Sequence, residues 1–123
     1  MALKKGILKY QFYLLQFLIW IDNFHYMSAI NRLDFIYTSG IVQQTFQNVI
    51  QVLFALNEKY FPGDKKIEKQ LKSLRFCPEC LKDNLETLFT MSKQTEFMLL
   101  QRKILKDTMD EMEAFIEVSD VSG

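Results

Sequence analysis

LDFIYTSGIVQQTFQNVIQVLFALNEKYFPG, residues Leu33 to Gly63, carries the pattern that decides the fold. Its apolar residues recur at three- and four-residue steps, which is the period of one helix face. Asn31 is the predicted cap of this helix, and Asp34 suits the positive end of the helix dipole. Pro62 ends the helix near Tyr60, because a proline ring disfavours helix at the preceding residue. The residues predicted to face the core are Leu33, Tyr37, Ile41, Phe46, Val49, Leu53 and Leu56.

The opposite face of this helix is uncharged and polar, and Gly40 lies in the middle of the pattern. A glycine there predicts either a kink or a point where another helix comes close. The polar residues are Gln43, Gln44, Gln47, Asn48 and Gln51.

Four further helices follow from the same periodicity. The first is predicted from Ile7 to Met27, with apolar residues around most of its circumference, which indicates a buried helix. A short helix fits 64–74, and another opens near Pro78 and runs to Met91. The last begins near Ser92 or Thr95 and runs to Val118, with two stripes: Phe97, Leu100 and Ile104, and Met98, Leu105, Met109, Met112 and Ile116. The predicted fold is a single all-α domain over 1–118, an antiparallel bundle of four or five helices, with a frayed tail at 119–123.

Composition narrows the functional classes. The chain has 123 residues, 49% of them hydrophobic and 24% charged, and a net charge of zero. Balanced charge argues against a dedicated nucleic-acid binder. No stretch is long and apolar enough for a membrane span, and no signal peptide is visible, so we expect a cytoplasmic protein that makes no membrane contact.

One pair of cysteines could carry chemistry. Cys77 and Cys80 form a CxxC motif that could bind a metal or cycle between thiol and disulfide, with the start of a helix lowering the pKa of Cys77. The chain offers few further ligands apart from His25, and no thioredoxin-like strand precedes the motif. Two half-buried structural thiols are therefore the favoured interpretation.

Opposite charges are concentrated in two segments. Lysines gather in 65–75, where they could hold phosphate or form a solvated face. Carboxylates gather in 107–120, where they could hold Mg²⁺, face solvent, or pair with the lysines within one molecule or between two. The basic residues are Lys65, Lys66, Lys69, Lys72 and Arg75, and the acidic ones are Asp107, Asp110, Glu111, Glu113, Glu117 and Asp120.

Two segments, Ala29–Asp34 and Leu53–Lys65, resemble a known helical domain. It is the C-terminal, HEPN-like half of an uncharacterised family of nucleotidyltransferases related to the aminoglycoside nucleotidyltransferases. Its signature corresponds here to Asn57, Tyr60, Phe61, Pro62 and Lys65. The resemblance spans about residues 20–75, and Lys66 stands where the family often has an aromatic residue.

The resemblance implies an accessory, substrate-binding half that is not an enzyme on its own. The family's catalytic Gly-Ser turn and paired aspartates are missing from the chain. A catalytic domain, on the same or a separate chain, would supply them and bind Mg²⁺ and nucleotide together with this half. The substrate- or nucleotide-binding residues implied are Asn57, Tyr60, Lys65, Lys69 and Arg32. A structural alternative has Asn57 capping its helix and Lys65 solvated.

Two other functions remain open. A non-enzymatic module could form a homodimer through its aromatic first helix. A helical ribonuclease toxin is the third hypothesis, but the arginine–histidine motif of the HEPN ribonucleases is missing, since the sole histidine precedes Arg32.

Overall fold

The structure, a computed structural model, describes residues 24–59, 63 and 65–122. The described chain is all-α, as predicted, and contains no strand in these residues. Its helices are α1 (Phe24–Asn31), α2 (Phe35–Leu56), α3 (Ile67–Lys72), α4 (Glu79–Asp83), α5 (Leu85–Leu88) and α6 (Thr95–Ser122). The predicted first helix, Ile7 to Met27, falls mostly outside the described residues. Its last four positions, from Phe24, are helical and belong to α1, which continues to Asn31.

Helix α2 is capped by Asp34, so the prediction of Asn31 as its cap was wrong. The Asp34 carboxylate accepts a hydrogen bond from the Tyr37 backbone N–H at 3.4 Å. Asn31 is instead the last residue of α1. Leu33, with a φ of 58°, turns the chain between the two helices. Because α1 includes Asn31 and a turn at Arg32 and Leu33 follows it, the cap of α2 lies three positions beyond the prediction.

Helix α2 is the central element of the core. Val49, Ile50, Val52 and Leu53 are each 0% exposed, and at 3.6 residues per turn these four span about 160° of the helix circumference. The predicted core set is confirmed from Ile41 onward. It was wrong at Leu33 and Tyr37, which are 46% and 39% exposed.

Gly40 produces neither of the two features predicted for it. Helix α2 runs unbroken from Phe35 to Leu56. A Cβ added to Gly40 would meet nothing within 4 Å, so no described element packs closely there. The glycine instead leaves open space on the surface of α2.

The single helix predicted from Pro78 to Met91 is two short helices, α4 and α5. The break is at Asn84, whose amide donates a hydrogen bond to the Cys80 carbonyl at 2.7 Å. A side chain that bonds a carbonyl of its own turn competes with the helical backbone ladder. Asn84 is accordingly both the last cap of α4 and the first cap of α5.

Helix α6 begins at Thr95, as predicted, and extends to Ser122 rather than ending at Val118. Its second predicted stripe, from Met98 to Ile116, is buried. The first stripe was wrong at Leu100, which is 44% exposed, while Gln101 is 3% exposed in its place.

The remaining helices are arranged around α2 and α6. Helix α1 contacts both of these long helices, which also contact each other. Helices α4 and α5 pack on α6, and α3 packs on α4. The core lies where α1, α2 and α6 meet, and Leu71, Leu81, Leu85 and Leu88 extend it beneath the short helices.

Candidate functional site

Asn57, the central residue of the predicted ligand corner, is a structural clamp. Its amide nitrogen donates to the carbonyl of Leu53 at 2.8 Å and to the carbonyl of Phe76 at 2.9 Å. Its amide oxygen accepts from the Phe76 backbone N–H at 2.9 Å. An asparagine amide has only two donor hydrogens, and both are used. The structural alternative, in which Asn57 caps its helix, is therefore confirmed, because Asn57 is the cap that ends α2.

The other residues of that corner differ in what the structure says of them. Tyr60, Phe61 and Pro62 lie outside the described residues. Lys65 is exposed, and its carbonyl accepts a hydrogen bond from the Gln70 side chain. Lys69 is exposed on α3. Among the described residues of this corner, a ligand would thus meet the exposed cations Lys65 and Lys69.

Arg32 does not belong to the same site. It lies in the turn before α2, with its guanidinium 4.0 Å from the Asp34 carboxylate, and both side chains are largely exposed. Asn57 and Lys65 lie beyond the other end of α2. A helix of 22 residues is about 33 Å long at 1.5 Å per residue. The structure therefore separates Arg32 from the residues with which the resemblance grouped it.

The CxxC thiols are held in their neutral form. Burial raises the pKa of Cys77 to about 11, an effect that Lys82 opposes and Glu111 increases. Burial also raises the pKa of Cys80, although a hydrogen bond with Thr108 works in the other direction. The predicted lowering of the Cys77 pKa at a helix start was wrong, because desolvation of the thiolate outweighs it. Both cysteines are free and half-buried, as the favoured interpretation held.

A surface groove of about 480 Å³ lies between α2 and the segment that follows α5. We call it the α2 groove. No ionisable side chain lines it, and its large apolar members Ile36, Phe89 and Met91 are 69%, 51% and 59% exposed. Its lining residues are Ile36, Ser39, Gly40, Gln43, Leu88, Phe89, Thr90 and Met91.

Glutamine amides fix one wall of the α2 groove. Gln43 on α2 donates to the Leu88 carbonyl at 3.2 Å. Gln101 on α6 donates to the carbonyls of Thr87 and Thr90, each at 2.9 Å. Phe89 packs edge-on against buried Phe46, with ring centroids 4.8 Å apart. The wall is therefore held from both long helices before any partner arrives.

Sequence reasoning missed the α2 groove, although part of its signal was visible. Gly40 was singled out as a place of close approach, and the groove opens above it. Ile36 and Met91 did not fit the predicted core stripes, which is the pattern of apolar residues left at a surface. The role of Gln101 was hidden because it interrupts an apolar stripe.

A second groove, of about 490 Å³, lies between α6 and the segment that leads into α4. We call it the α6 groove. Its lining residues are Phe76, Cys77, Pro78, Glu79, Glu111, Ala114 and Phe115. The rings of Phe76 and Phe115 stack with centroids 4.0 Å apart and an interplanar angle of 8°. The two grooves share no lining residue.

The described residues group no three His, Cys, Asp or Glu side chains in a way that could hold a metal ion. In the same part of the chain, none of the helices combines the length and the hydropathy needed to cross a bilayer. Comparison with protein-family models, with curated proteins and with solved structures gave no match to this chain.

Proposed function

We propose that this chain is a non-catalytic helical accessory module that docks a partner protein in its α2 groove. The observation that carries the proposal is the groove itself. It is uncharged and about 480 Å³ in volume, and exposed Ile36, Phe89 and Met91 line it. Exposed apolar side chains gathered at one groove are typical of a protein-binding surface.

The shape of the α2 groove suits a helix or loop of a partner. Ser39 has a small side chain and Gly40 has none on the face of α2 that lines the groove, so a second backbone can approach closely. The opposite wall is already fixed by Gln43 and Gln101. A preformed groove loses little conformational entropy on binding, which favours affinity.

The partner that we propose is a nucleotidyltransferase catalytic domain, on the same or a separate chain, as the sequence resemblance suggests. Mg²⁺ and nucleotide would then bind to the pair, with exposed Lys65 and Lys69 available to the phosphates. Asn57 does not bind nucleotide or substrate in this proposal, because both its donor hydrogens are used within the chain. Self-association, the other role that the sequence leaves open, is compatible with this docking and is measured separately by sedimentation.

The docking test uses Gly40→Trp, which fills the α2 groove. Position 40 has open space, and replacing glycine inside a helix does not weaken the helix, so the variant should fold. We expect its affinity for the catalytic domain, measured by isothermal titration calorimetry, to fall about tenfold or more. Glu113→Trp, at an exposed position of α6 outside both grooves, is the matched control.

Two outcomes of this titration would count against the proposal. Equal affinity of Gly40→Trp and wild type would remove the α2 groove as the docking surface. No binding by the wild-type chain would remove the catalytic domain as the partner.

The nucleotide role of the lysines has its own test. In the assembled pair, Lys65→Ala should weaken nucleotide binding several-fold, because it removes a positive charge near the phosphates. Glu86→Ala, at an exposed position on α5, serves as the control. Unchanged nucleotide affinity in Lys65→Ala would exclude that lysine as a phosphate contact.

A further inference from the structure

The α6 groove has an apolar floor that is open to solvent. The stacked, half-buried rings of Phe76 and Phe115 form it together with exposed Ala114, and Pro78 is buried beside them. Aromatic and apolar side chains at the centre of a surface, with charges at its margin, are typical of a protein interface.

One charged border of this groove is negative. Glu79 and Glu111 line the groove directly and are exposed. Between 107 and 117, α6 contains no basic residue. Only Asp107 among these carboxylates is paired with a described cation, Lys103, at 2.7 Å.

A basic segment leads into this groove along the chain, because its last member, Arg75, is the immediate neighbour of the groove residue Phe76. Lys65, Lys66, Lys69, Lys72 and Arg75 are all exposed. Lys72 precedes the groove residue Phe76 by four residues, so their Cα atoms lie within about 14 Å of each other. Among the described residues, no salt bridge joins this basic segment to the carboxylates of α6.

We propose that two copies of this chain associate through the α6 groove about a two-fold axis. The apolar floors face each other, and the basic segment of each copy meets the acidic border of the other. A two-fold interface places each contact twice, so adjacent patches of opposite sign complement themselves. The chain has a net charge of zero, and such pairing neutralises both patches without a further partner. This proposal is independent of the docking at the α2 groove.

Each half of the charge pattern can be reversed separately. Lys72→Glu/Arg75→Glu makes the basic segment negative, and Glu79→Lys/Glu111→Lys makes the groove border positive. All four side chains are exposed, so circular dichroism should show that both variants keep the wild-type helix content. Each variant alone brings like charges together across the two-fold axis and should dimerise about tenfold or more weakly than wild type in sedimentation experiments.

The decisive measurement mixes the two variants. The reversed basic segment of one faces the reversed border of the other, and the unchanged segments also meet as opposites. We therefore expect a heterodimer with about wild-type affinity, weakened by raising the salt from about 50 to 500 mM. The Gly40→Trp and Glu86→Lys variants should dimerise like wild type, because neither residue lies in this groove.

Three results would overturn the proposal. The wild-type chain could remain monomeric up to about 1 mM, in which case the α6 groove does not bind a second copy. It could form a dimer that neither charge reversal weakens. The mixed variants could fail to associate although each is folded.

Discussion

Asn57 joins the end of α2 to the segment before α4 through two hydrogen bonds with Phe76, and its amide also donates to the Leu53 carbonyl within α2. Asn57→Ala would leave the Phe76 N–H and carbonyl without these partners in a half-buried site. We expect the free energy of unfolding to fall by about 2–4 kcal/mol, because a polar group left without a partner costs its full desolvation penalty, which exceeds the net contribution of one hydrogen bond. Urea denaturation measures this change.

The control for Asn57 is Asn31→Ala, at the exposed end of α1. Its effect should stay within about 0.5 kcal/mol. Equal effects of the two substitutions would contradict a clamping role for Asn57.

Tyr26 is a buried residue of α1, and its hydroxyl has no hydrogen-bond partner in the described structure. Removing an unpaired buried hydroxyl relieves its desolvation penalty. Tyr26→Phe should therefore raise the free energy of unfolding by about 1 kcal/mol at pH 7, as measured by chemical denaturation. A clear loss of stability would indicate that the hydroxyl is hydrogen-bonded in solution.

The same residue predicts a pH dependence. Burial raises the pKa of Tyr26 from 10.0 to about 12, and Arg102 opposes the shift. The folded state thus holds the phenol proton more tightly than the unfolded chain, so this stabilisation is complete below pH 10 and is lost as the pH rises towards 12. Wild type should lose about 2 kcal/mol over that range relative to Tyr26→Phe. Parallel pH profiles of the two proteins would contradict the raised pKa.

At the scale of elements, the segment that follows α5 depends on α6 for its position. Gln101→Leu removes the donor to the carbonyls of Thr87, within α5, and of Thr90, on the segment that follows α5. We expect a loss of about 1–3 kcal/mol in global stability and faster amide hydrogen exchange over residues 87–94. Exposed Gln94→Leu is the control. Unchanged exchange in the Gln101 variant would show that Phe89 packing and the hydrogen bond from Gln43 to Leu88 hold the segment without Gln101.

Element boundaries show where local sequence reasoning reaches its limit. The apolar period predicted α2 and α6 because long stripes must be buried. The cap at Asp34 and the break at Asn84 depend on single hydrogen bonds, which several neighbouring polar residues could equally have made. The short helices are stabilised by packing on α6 and α4 rather than by their own pattern.

For the whole molecule, the central position of α2 predicts that its stability depends on residues beyond the predicted core stripe. Ile50 was outside the predicted core set, yet it is 0% exposed. Ile50→Ala should lower the free energy of unfolding by about 2–5 kcal/mol in thermal or urea denaturation. Ile36→Ala, on the same helix but 69% exposed, should change it by less than about 1 kcal/mol. Similar losses at both positions would contradict the difference in burial between Ile50 and Ile36.

The candidate sites were less predictable than the fold. A groove forms between elements distant in sequence, such as Gly40 and Met91, and a periodic pattern within one helix does not reveal such neighbours. The predicted ligand corner depended on Asn57 and Lys65, which are close in sequence. The order of residues there could not show that the Asn57 amide is already bonded to Phe76, nineteen residues later. The exposed cations were correctly placed on the surface as a solvated face, and their binding role stays a prediction.

The amides of Gln43 and Gln101 give the α2 groove one more property. Neither side chain titrates, and neither bond is an ion pair that dissolved electrolytes weaken. The groove should therefore keep its shape from mildly acidic to mildly alkaline buffers and at any physiological ionic strength. A competitor that fills the groove would switch this surface off, whereas changes of acidity or of dissolved salt alone would leave it open.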